Sequence, residues 1–305
     1  MRIGPSLNKV LITGATGFTG RYLAPRLAAA GYEVHGTSHD GAGAVIDGTS
    51  QLHAVNLADA KAVERVVAEV SPAKVVHLAA IAFVAHSHVA EMYRTNILGT
   101  RNLLEALASA SDRPDTVLIA SSANIYGNSR AGRLDESVPP APANDYAVTK
   151  VAAENIATLY RDRLPLIVTR PFNYTGVGQS TDFVIPKIVD HARRRAPSVE
   201  LGNLDVERDF SDVRAIADAY LRLLNCSAAI GGTFNVCSGR HYSLREVIAL
   251  VEEISNHSMS VEVNPAFVRR NEVHRLYGDN SRLSRTIGPP QMPPLKETLQ
   301  WMIEA

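Results

Sequence analysis

A glycine-rich turn between a strand-like run and a helix-forming run constrains the fold of this chain more than any other feature. The apolar residues 10–13 lead into a turn with Gly14, Gly17 and Gly20, and residues 21–30 follow with helical spacing of apolar side chains. Glycine is needed where the backbone takes unusual angles, where a phosphate approaches the main chain and where a helix packs closely on a sheet. The unpaired N–H groups at the start of the helix then attract an anion. The turn therefore predicts a phosphate-binding strand–turn–helix unit.

Short β-rich runs recur along the chain and alternate with longer amphipathic stretches. The runs cover residues 10–13, 33–37, 75–78, 116–120, 166–169 and 233–236, and two of the stretches between them cover 21–30 and 97–108. The first runs are nearly continuous in apolar residues, which is typical of central strands buried on both faces. This alternation predicts an α/β protein with a Rossmann-type, doubly wound parallel sheet.

In this context the turn predicts a dinucleotide site, with contacts from Gly14, Thr16, Gly17, Phe18 and Thr19. NAD-specific proteins of this kind carry an acidic residue near the end of the second strand, about 20 residues beyond the turn, which holds the ribose hydroxyls. Here Thr37, Ser38 and His39 occupy that place and Asp40 follows, so Ser38 and His39 are the expected contacts. A hydroxyl and an imidazole repel the additional phosphate of NADP less than a carboxylate does. The sequence therefore favours NADP(H) and leaves NAD(H) open.

The alternation of strands and helices fails in two places, and both predict a smaller second lobe. Residues 171–211 hold many polar residues and glycines, and residues 240–305 include the proline-rich stretch 289–294. We therefore expect residues 1–170 with 212–239 to form a dinucleotide-binding domain. Residues 171–211 with 240–305 are expected to form a discontinuous C-terminal lobe that binds the substrate.

The charge balance and hydropathy pattern argue against several classes of partner. Lys plus Arg and Asp plus Glu both number 31, so no excess of positive charge draws the chain to nucleic acid or to an anionic membrane. The most apolar stretch, residues 75–85, is much shorter than the roughly 20 residues that a membrane-spanning helix needs. The first residues lack the pattern of a signal peptide, which predicts a cytoplasmic location. A small molecule is therefore the expected partner.

The sequence predicts no metal site. Cys226 and Cys237 are the two cysteines, their spacing is not that of zinc ligands, and both are expected to be buried, reduced thiols. His86 and His88 lie two positions apart, so on a helix they would point to different sides and could not hold one metal ion.

Tyr146 and Lys150 are the candidate catalytic pair. They are four residues apart in a stretch with helical spacing, which places a phenol and an ammonium on one face of a helix. A free phenol has a pKa of about 10, and a nearby cation lowers that pKa, so Tyr146 could exchange a proton with a carbonyl/alcohol couple. Ser121 and Ser122 follow the strand-like run 116–120, at the edge of the sheet where such folds bind ligands, and Ser122 could hydrogen-bond the reacting oxygen. Ser122, Tyr146 and Lys150 are therefore the predicted catalytic residues.

Five segments together resemble the extended short-chain dehydrogenase/reductase family, whose members act on sugar nucleotides. They are the glycine turn with Thr13, residues 77–80 (His-Leu-Ala-Ala), residues 96–100 (Asn-Ile-Leu-Gly-Thr), Tyr146 with Lys150, and residues 170–173 (Arg-Pro-Phe-Asn). The resemblance covers essentially the whole chain, and it implies a homodimer through residues 97–108 and 146–161. It also implies cofactor contacts from Tyr146 and Lys150, and from Asn56, Leu57, Leu78, Ala79, Ala80, Asn96, Pro171 and Phe172.

Within that family, the C-terminal half resembles the GDP-mannose 4,6-dehydratase group and its relatives that reduce GDP-4-keto-6-deoxy-mannose. The matching segments are residues 173–179, 183–187, 201–210 and 268–273. The resemblance implies that Arg208 and Arg269 meet phosphates, for which the guanidinium fork is suited, and that Glu272 meets a ribose hydroxyl. The alternative is that these arginines form surface salt bridges to Asp209 and Glu272. The full set of implied substrate contacts is Ser122, Asn124, Asn173, Val184, Lys187, Leu201, Asn203, Arg208, Arg269 and Glu272.

One departure from the dehydratase pattern decides the expected reaction class. The dehydratases carry a glutamate two positions after the catalytic Ser/Thr, where it removes and returns protons, and here Asn124 stands in that place. An amide cannot serve as an acid or base, whereas hydride and alcohol-proton transfer remain available. The sequence therefore favours a 4-keto reductase that forms GDP-D-rhamnose or its C4 epimer, GDP-6-deoxy-talose.

Three alternatives remain open at this point. A 4-epimerase would use the same serine, tyrosine and lysine but would keep NAD tightly bound. A GDP-mannose 4,6-dehydratase is disfavoured by Asn124. A regulatory protein that binds NADP without chemistry has no need of Tyr146 and Lys150.

Overall fold

The computed structural model describes residues 6–39, 45–82, 89–129, 132–267 and 273–305. Within these ranges the strands, in chain order, are β1 (Ser6–Thr13), β2 (Glu33–Ser38), β3 (Gln51–Ala54), β4 (Pro72–His77), β5 (Thr116–Ala120), β6 (Leu166–Pro171), β7 (Asn173–Thr175), β8 (Ser198–Leu201), β9 (Glu207–Arg208), β10 (Phe210–Asp212), β11 (Thr233–Val236), β12 (Tyr242–Ser243), β13 (Ser260–Val263) and β14 (Arg275–Leu276).

The helices in the same ranges are α1 (Phe18–Ala29), α2 (Ala60–Val70), α3 (Val89–Tyr93), α4 (Gly99–Ser109), α5 (Asp145–Thr158), α6 (Val184–Arg193), α7 (Val213–Leu224), α8 (Leu244–Ser255), α9 (Ser281–Ile287) and α10 (Leu295–Glu304). A π-helical turn, Arg94–Leu98, joins α3 to α4, and short 3₁₀ turns cover Ala123–Tyr126, Ser227–Ala229 and Pro265–Phe267.

The main sheet has seven strands in the order β11-β6-β5-β4-β1-β2-β3, and every neighbouring pair is parallel. The predicted doubly wound parallel sheet is therefore confirmed, and each of the six predicted runs lies wholly or mostly in one of its strands. Edge strand β3 was missed, because its four residues are mostly exposed or half-buried and form no apolar run. The strand order reverses around β1 and β4, which puts a crevice at their carboxyl ends.

Alternate side chains of the central strands bury themselves against two helix layers. Val10 and Ile12 pack on the side that carries α1 and α7, whereas Leu11 packs on the side that carries α2 and α4. All three are at most 1% exposed. Full burial of such a side chain contributes roughly 1.5–3 kcal/mol, so these strands hold the sheet rigid beneath its carboxyl edge.

A separate apolar cluster lies in the C-terminal half, where α6, α8 and α10 surround the β8–β13 pair. Ile188, Val247 and Leu299 are fully buried within it. Helix α9, by contrast, packs Leu283 into the cluster beside the main sheet. The division into two lobes stays a prediction, and α9 is the part of the predicted C-terminal lobe that rests on the sheet.

In the described parts of the chain, every helix is too short or too polar to cross a bilayer. The same residues contain no group of three or more histidine, cysteine, aspartate or glutamate side chains that could hold a metal ion. Cys226 and Cys237 are free thiols; Cys237 is buried as expected, whereas Cys226 is only half-buried. His86 and His88 lie outside the described residues.

Candidate active site

A cavity of about 580 Å³ opens at the carboxyl edge of the main sheet. The glycine turn lines one side, and the ends of β5 and β6 and the start of α5 form the centre of the cavity. Residues from β7 to α6 form the opposite side, the C-terminal wall. This is the place where parallel α/β sheets bind ligands, because the strand ends and the helix N-termini converge there.

The glycine turn fits the pyrophosphate of a dinucleotide. Gly14 has a φ of +70°, and a Cβ atom added to it would lie 2.8 Å from the Cα of Ala79, so no larger residue fits. Gly17 caps α1 without any side-chain hydrogen bond, which leaves the first N–H groups of the helix facing the cavity. A Cβ on Gly20 would lie 2.4 Å from the carbonyl oxygen of Ala15. The turn thus presents bare backbone and a helix N-terminus, the features that bind phosphate.

The end of β2 carries hydroxyls beside the glycine turn. The hydroxyl of Thr16 donates to the hydroxyl of Ser38 at 3.3 Å, and the backbone N–H of Gly14 donates to the hydroxyl of Thr37 at 3.4 Å. His39 is exposed just beyond the end of β2, and Asp40 lies outside the described residues. These hydroxyls lie where the ribose contact is predicted, and that contact stays a prediction.

Helix α5 places Tyr146 and Lys150 in the cavity. Asn144 caps the helix by accepting from the N–H of Ala147 at 2.9 Å, so Tyr146 lies in the first turn. Tyr146 shares a hydrogen bond with Ser122, whose hydroxyl also accepts from the N–H of Asn124 at 3.2 Å. The ammonium of Lys150 is buried and lies 5.8 Å from the centre of the Tyr146 ring. The structure therefore brings Ser122, Tyr146 and Lys150 together.

The acidity of Tyr146 differs from the expectation. Burial raises the pKa of Tyr146, the neighbouring Tyr174 raises it further, and the hydrogen bond from Ser122 lowers it by less. Burial is the largest cause of this shift and outweighs the effect of Lys150, whose ammonium donates to the carbonyl of Ala120 at 2.8 Å. Burial in turn lowers the pKa of Lys150 to about 8. In this state Tyr146 holds its proton at neutral pH, so it is suited to act as an acid rather than as a base.

A buried chain of hydrogen bonds supports the floor of the cavity beneath β4. The hydroxyl of Thr100 donates to the carbonyl of Asn96 at 2.6 Å, so it accepts from Nε2 of His77 at 2.9 Å. Nδ1 of His77 then accepts from the hydroxyl of Thr13 at 2.7 Å. Burial lowers the pKa of His77 to about 3, so the imidazole is neutral and keeps this tautomer. These hydrogen bonds fix the end of β4 against β1.

Asn96 also supports the floor of the cavity. Its amide binds both the N–H of Ile81, at 2.8 Å, and the carbonyl of Ile81, at 3.1 Å, and it also donates to the hydroxyl of Thr149. Asn96 does not line the cavity. It holds the segment after β4, which does line the cavity, and ties that segment to α5.

About half of the residues predicted from the sequence line the cavity. They are Gly14, Thr16, Gly17, Phe18, Thr19, Leu78, Ala80, Ser122, Asn124, Tyr146, Lys150, Pro171, Phe172, Asn173 and Val184. Those that are described but lie outside its lining are Ser38, His39, Asn56, Leu57, Ala79, Asn96, Lys187, Leu201, Asn203 and Arg208. Arg269 and Glu272 lie outside the described residues.

Several predicted residues away from the cavity have structural partners. Asn56 accepts from the N–H of Ala58 at 2.9 Å, and Leu201 is buried in the C-terminal cluster. The ammonium of Lys187 lies 4.3 Å from the centre of the Phe267 ring. Arg208 donates to the carbonyls of Glu207 and His274. Lys187 and Arg208 are thus held near the C-terminal wall by an aromatic ring and by backbone carbonyls, respectively.

The sequence reasoning missed Tyr174, which lines the cavity. The hydroxyls of Tyr174 and Thr19 lie 2.7 Å apart, and the rings of Tyr174 and Phe18 are stacked with centres 6.0 Å apart. Tyr174 thereby joins β7 to the glycine turn. A signal for Tyr174 was present, because it directly follows Asn173, a predicted substrate contact.

Comparison with known proteins yields close relatives across nearly the whole chain. The family described as GDP-mannose 4,6 dehydratase matches residues 11–302. GDP-6-deoxy-D-talose 4-dehydrogenase of Aggregatibacter actinomycetemcomitans is 34% identical over 92% of this chain and 91% of that protein. GDP-6-deoxy-D-mannose reductase of Pseudomonas aeruginosa is 37% identical over 75% of this chain and 78% of that protein.

Solved structures agree with the same assignment. A protein from Burkholderia cenocepacia J2315, provisionally described as an epimerase, is 51% identical over 99% of this chain and 98% of that chain, with a TM-score of 0.91. RMD from Pseudomonas aeruginosa, solved in complex with NADPH, is 32% identical over 97% of this chain and 98% of that chain, with a TM-score of 0.83. The resemblance inferred from the sequence is confirmed, and the chain belongs to the GDP-mannose 4,6-dehydratase family.

Proposed function

We propose that this chain uses a nicotinamide cofactor, preferably NADPH, to reduce the C4 keto group of a GDP-4-keto-6-deoxyhexose. The first candidate substrate is GDP-4-keto-6-deoxy-D-mannose, with GDP-D-rhamnose or GDP-6-deoxy-talose as the product. The names of two relatives, a GDP-6-deoxy-D-talose 4-dehydrogenase and a GDP-6-deoxy-D-mannose reductase, support this reaction class. The NADPH bound to the Pseudomonas aeruginosa neighbour supports the cofactor.

The observation that carries the proposal is the combination of Asn124 and a protonated Tyr146 in one cavity. Dehydration needs a group that removes and returns a proton on carbon, and the amide of Asn124 cannot do this. Reduction of a ketone needs a hydride at carbon and a proton at oxygen. When bound, the nicotinamide supplies the hydride. Tyr146, whose burial favours the protonated phenol, donates the proton to the C4 oxygen, and Ser122 holds that oxygen by a hydrogen bond.

Lys150 has two roles in this proposal. Its ammonium is positioned by the carbonyl of Ala120, and it contributes positive charge next to the phenol as Tyr146 gives up its proton. It also lies in the cavity beside Ala120 and Ser121, where the ribose next to the nicotinamide would accept a hydrogen bond from it.

The nucleotide part of the substrate is assigned to the C-terminal wall. Asn173 and Val184 line the cavity there, and Arg208 of β9 pairs with Leu276 of β14, which also lines the cavity. A guanidinium binds a diphosphate with paired N–H groups, so Arg208 would exchange its carbonyl partners for phosphate oxygens. Arg269 and Glu272 are proposed to complete this contact.

The test is to mix the purified protein with NADPH and a panel of nucleotide-linked 4-keto-6-deoxy sugars, and to follow the loss of NADPH absorbance. We expect oxidation with the GDP-linked ketone and much slower oxidation with UDP- or dTDP-linked ones. A panel that produces no oxidation above the rate without protein would contradict the proposal. Product stereochemistry, read by NMR, distinguishes the rhamnose from the talose product.

The second candidate function is a sugar-nucleotide 4-epimerase, which the description of the Burkholderia cenocepacia neighbour favours. An epimerase keeps its NAD bound and returns the hydride to the other face, so purified protein would carry stoichiometric NAD and would not consume NADPH. A dehydratase would instead release a 4-keto product from GDP-mannose. A protein that binds NADP without any of these conversions would be a regulator.

The remaining assignments concern assembly and location. We propose that helices α4 and α5 form a dimer interface, because Leu98 and Leu159 leave apolar surface exposed on or beside them. Light scattering coupled to size-exclusion chromatography tests this, and a Leu159→Glu variant is expected to shift the mass to that of a monomer. A cytoplasmic location stays a prediction.

A further inference from the structure

Ser121 is a buried hydroxyl that has no partner in the protein. Its side chain is 3% exposed, and among the described residues its Oγ is the one buried side-chain polar atom without a hydrogen bond. Ser121 also lines the cavity at the carboxyl edge of the sheet. A buried hydroxyl without a partner is unfavourable, and such groups in folded proteins are usually satisfied by a ligand or by an ordered water.

The position of Ser121 indicates which part of a ligand would reach it. The backbone N–H of Ser121 donates to the carbonyl of Thr169 at 2.8 Å, so the residue lies directly at the end of β5, between β4 and β6. Leu78 follows β4 and Pro171 ends β6, and both line the same cavity. Both are expected cofactor contacts, and Lys150, which is proposed to bind the ribose next to the nicotinamide, lines the cavity with them. Ser121 lies between them.

Ser122 does not compete for this role. Its hydroxyl already accepts from the N–H of Asn124 and shares a hydrogen bond with Tyr146. The two adjacent serines therefore differ in one respect that matters: Ser122 is engaged with the proton donor, and Ser121 is free to bind a group that arrives with the ligand.

We propose that the hydroxyl of Ser121 hydrogen-bonds the carboxamide of the bound nicotinamide and so sets the orientation of the ring. A carboxamide offers both a donor and an acceptor, and a hydroxyl can satisfy either. Fixing the carboxamide fixes which face of the ring is turned toward Tyr146. Ser121 is thus a positioning residue for the cofactor. This inference rests on the nicotinamide cofactor of the proposed function, but it does not depend on the identity of the sugar.

The test compares Ser121→Ala with Ser122→Ala by calorimetric titration in the absence of any sugar. The two probes are NADP⁺ and 2′-phospho-ADP-ribose, which lacks the nicotinamide. We expect Ser121→Ala to bind NADP⁺ about 3- to 10-fold more weakly than the wild type and to bind 2′-phospho-ADP-ribose equally well. Ser122→Ala is expected to bind both probes like the wild type, because its hydroxyl faces the proton donor.

The thermal unfolding of the ligand-free variants separates this role from a structural one. Ser121→Ala removes a hydroxyl that has no partner, so its Tm is expected to match or exceed that of the wild type. Ser121→Cys keeps the size of the side chain with a weaker donor, and its affinity for NADP⁺ is expected to fall between those of Ser121→Ala and the wild type.

Three results would overturn the inference. Equal weakening of both probes would place the effect away from the nicotinamide. Unchanged affinity for NADP⁺ with a raised KM for the sugar would assign the hydroxyl to the substrate. A lowered Tm of the ligand-free Ser121→Ala variant would show that the protein itself uses this hydroxyl. Only the KM measurement uses a sugar ketone. A failure of the proposed reaction would therefore appear separately, as a wild type that binds NADP⁺ but reduces no member of the panel.

Discussion

The glycine turn and the C-terminal wall both meet phosphate in the proposed reaction, but they are built in different ways. The turn consists of backbone from residues adjacent in sequence, and its left-handed Gly14 and uncapped helix N-terminus are already in place. The C-terminal wall depends on long side chains from separate elements. Arg208 donates to two backbone carbonyls, and Lys187 lies over the Phe267 ring.

The difference teaches where preorganisation lies in this protein. A backbone site needs no change of partners when its ligand arrives, whereas the orientation of the Arg208 guanidinium depends on the two carbonyls to which its Nη1 donates. Binding of the cofactor is therefore expected to tolerate little change in the turn. Binding of the substrate is expected to depend on contacts that are individually weaker. The following predictions test this contrast, from the largest expected effect to the smallest.

Tyr146→Phe should impair the chemical step while it leaves both binding regions intact. The variant lacks the proton donor, so kcat is expected to fall about 10²- to 10⁴-fold, while the Kd for NADPH stays near that of the wild type. Steady-state kinetics and a fluorescence titration with NADPH measure the two quantities. Tyr174→Phe is the matched control, since it removes another phenol of the same cavity, and its loss of kcat should be far smaller. Retained turnover in Tyr146→Phe would remove the basis of the proposed mechanism.

Gly14→Ala should damage the turn through its backbone. The new Cβ would lie 2.8 Å from Ala79 at a φ of +70°. The left-handed angle costs about 1–2 kcal/mol and the crowding about 1–3 kcal/mol of unfolding free energy. Urea unfolding and NADPH titration are the measurements. Gly31→Ala is the control, because Gly31 has a φ of +88° with open space around it. That variant should lose only the free energy that comes from the left-handed backbone angle. Equal losses in the two variants would argue against a tightly packed turn.

The pH dependence of kcat/KM for NADPH should follow the charge of Lys150. Burial lowers its pKa from 10.5 to about 8, so the ammonium is charged below that pH and is lost as the pH rises through it. The kcat/KM for NADPH reports groups of the free enzyme, and we expect it to fall toward tenfold per pH unit above about pH 8. A Lys150→Arg variant keeps its charge at all accessible pH values, so its profile should stay flat over that range. A wild-type profile without this decline would contradict the assignment.

Arg208→Ala should affect the substrate side alone. Loss of a charge-assisted hydrogen bond is expected to raise the KM for the nucleotide sugar about 10-fold, with the Kd for NADPH unchanged. Arg275→Ala is the control, because Arg275 forms an exposed ion pair with Glu207 in a neighbouring strand and should change the KM by about twofold at most. If both variants raise the KM equally, the effect belongs to the local fold around Glu207 rather than to phosphate binding.

Patterns that are local in the chain predicted much of the fold. The strand β5 was placed with its correct ends from a run of β-rich residues, and Tyr146 was placed in the first turn of α5 from the spacing of apolar residues behind it. The helix predicted at residues 97–108 begins as a π-helical turn, which shifts the start of α4 to Gly99. Asn96 lies in that turn, and its amide binds the backbone of Ile81, a partner that no local pattern predicted.

The sequence by itself determined the parallel sheet, the glycine turn and the spacing of Tyr146 and Lys150, because each depends on residues that are neighbours in the chain. The tertiary structure decided the acidity of Tyr146 and which of the two adjacent serines lacks a partner. Burial and hydrogen-bond partnership depend on residues far apart in sequence, such as Thr169 beside Ser121 and Tyr174 beside Tyr146. No local pattern records that proximity, so these properties emerge only when the strands are assembled.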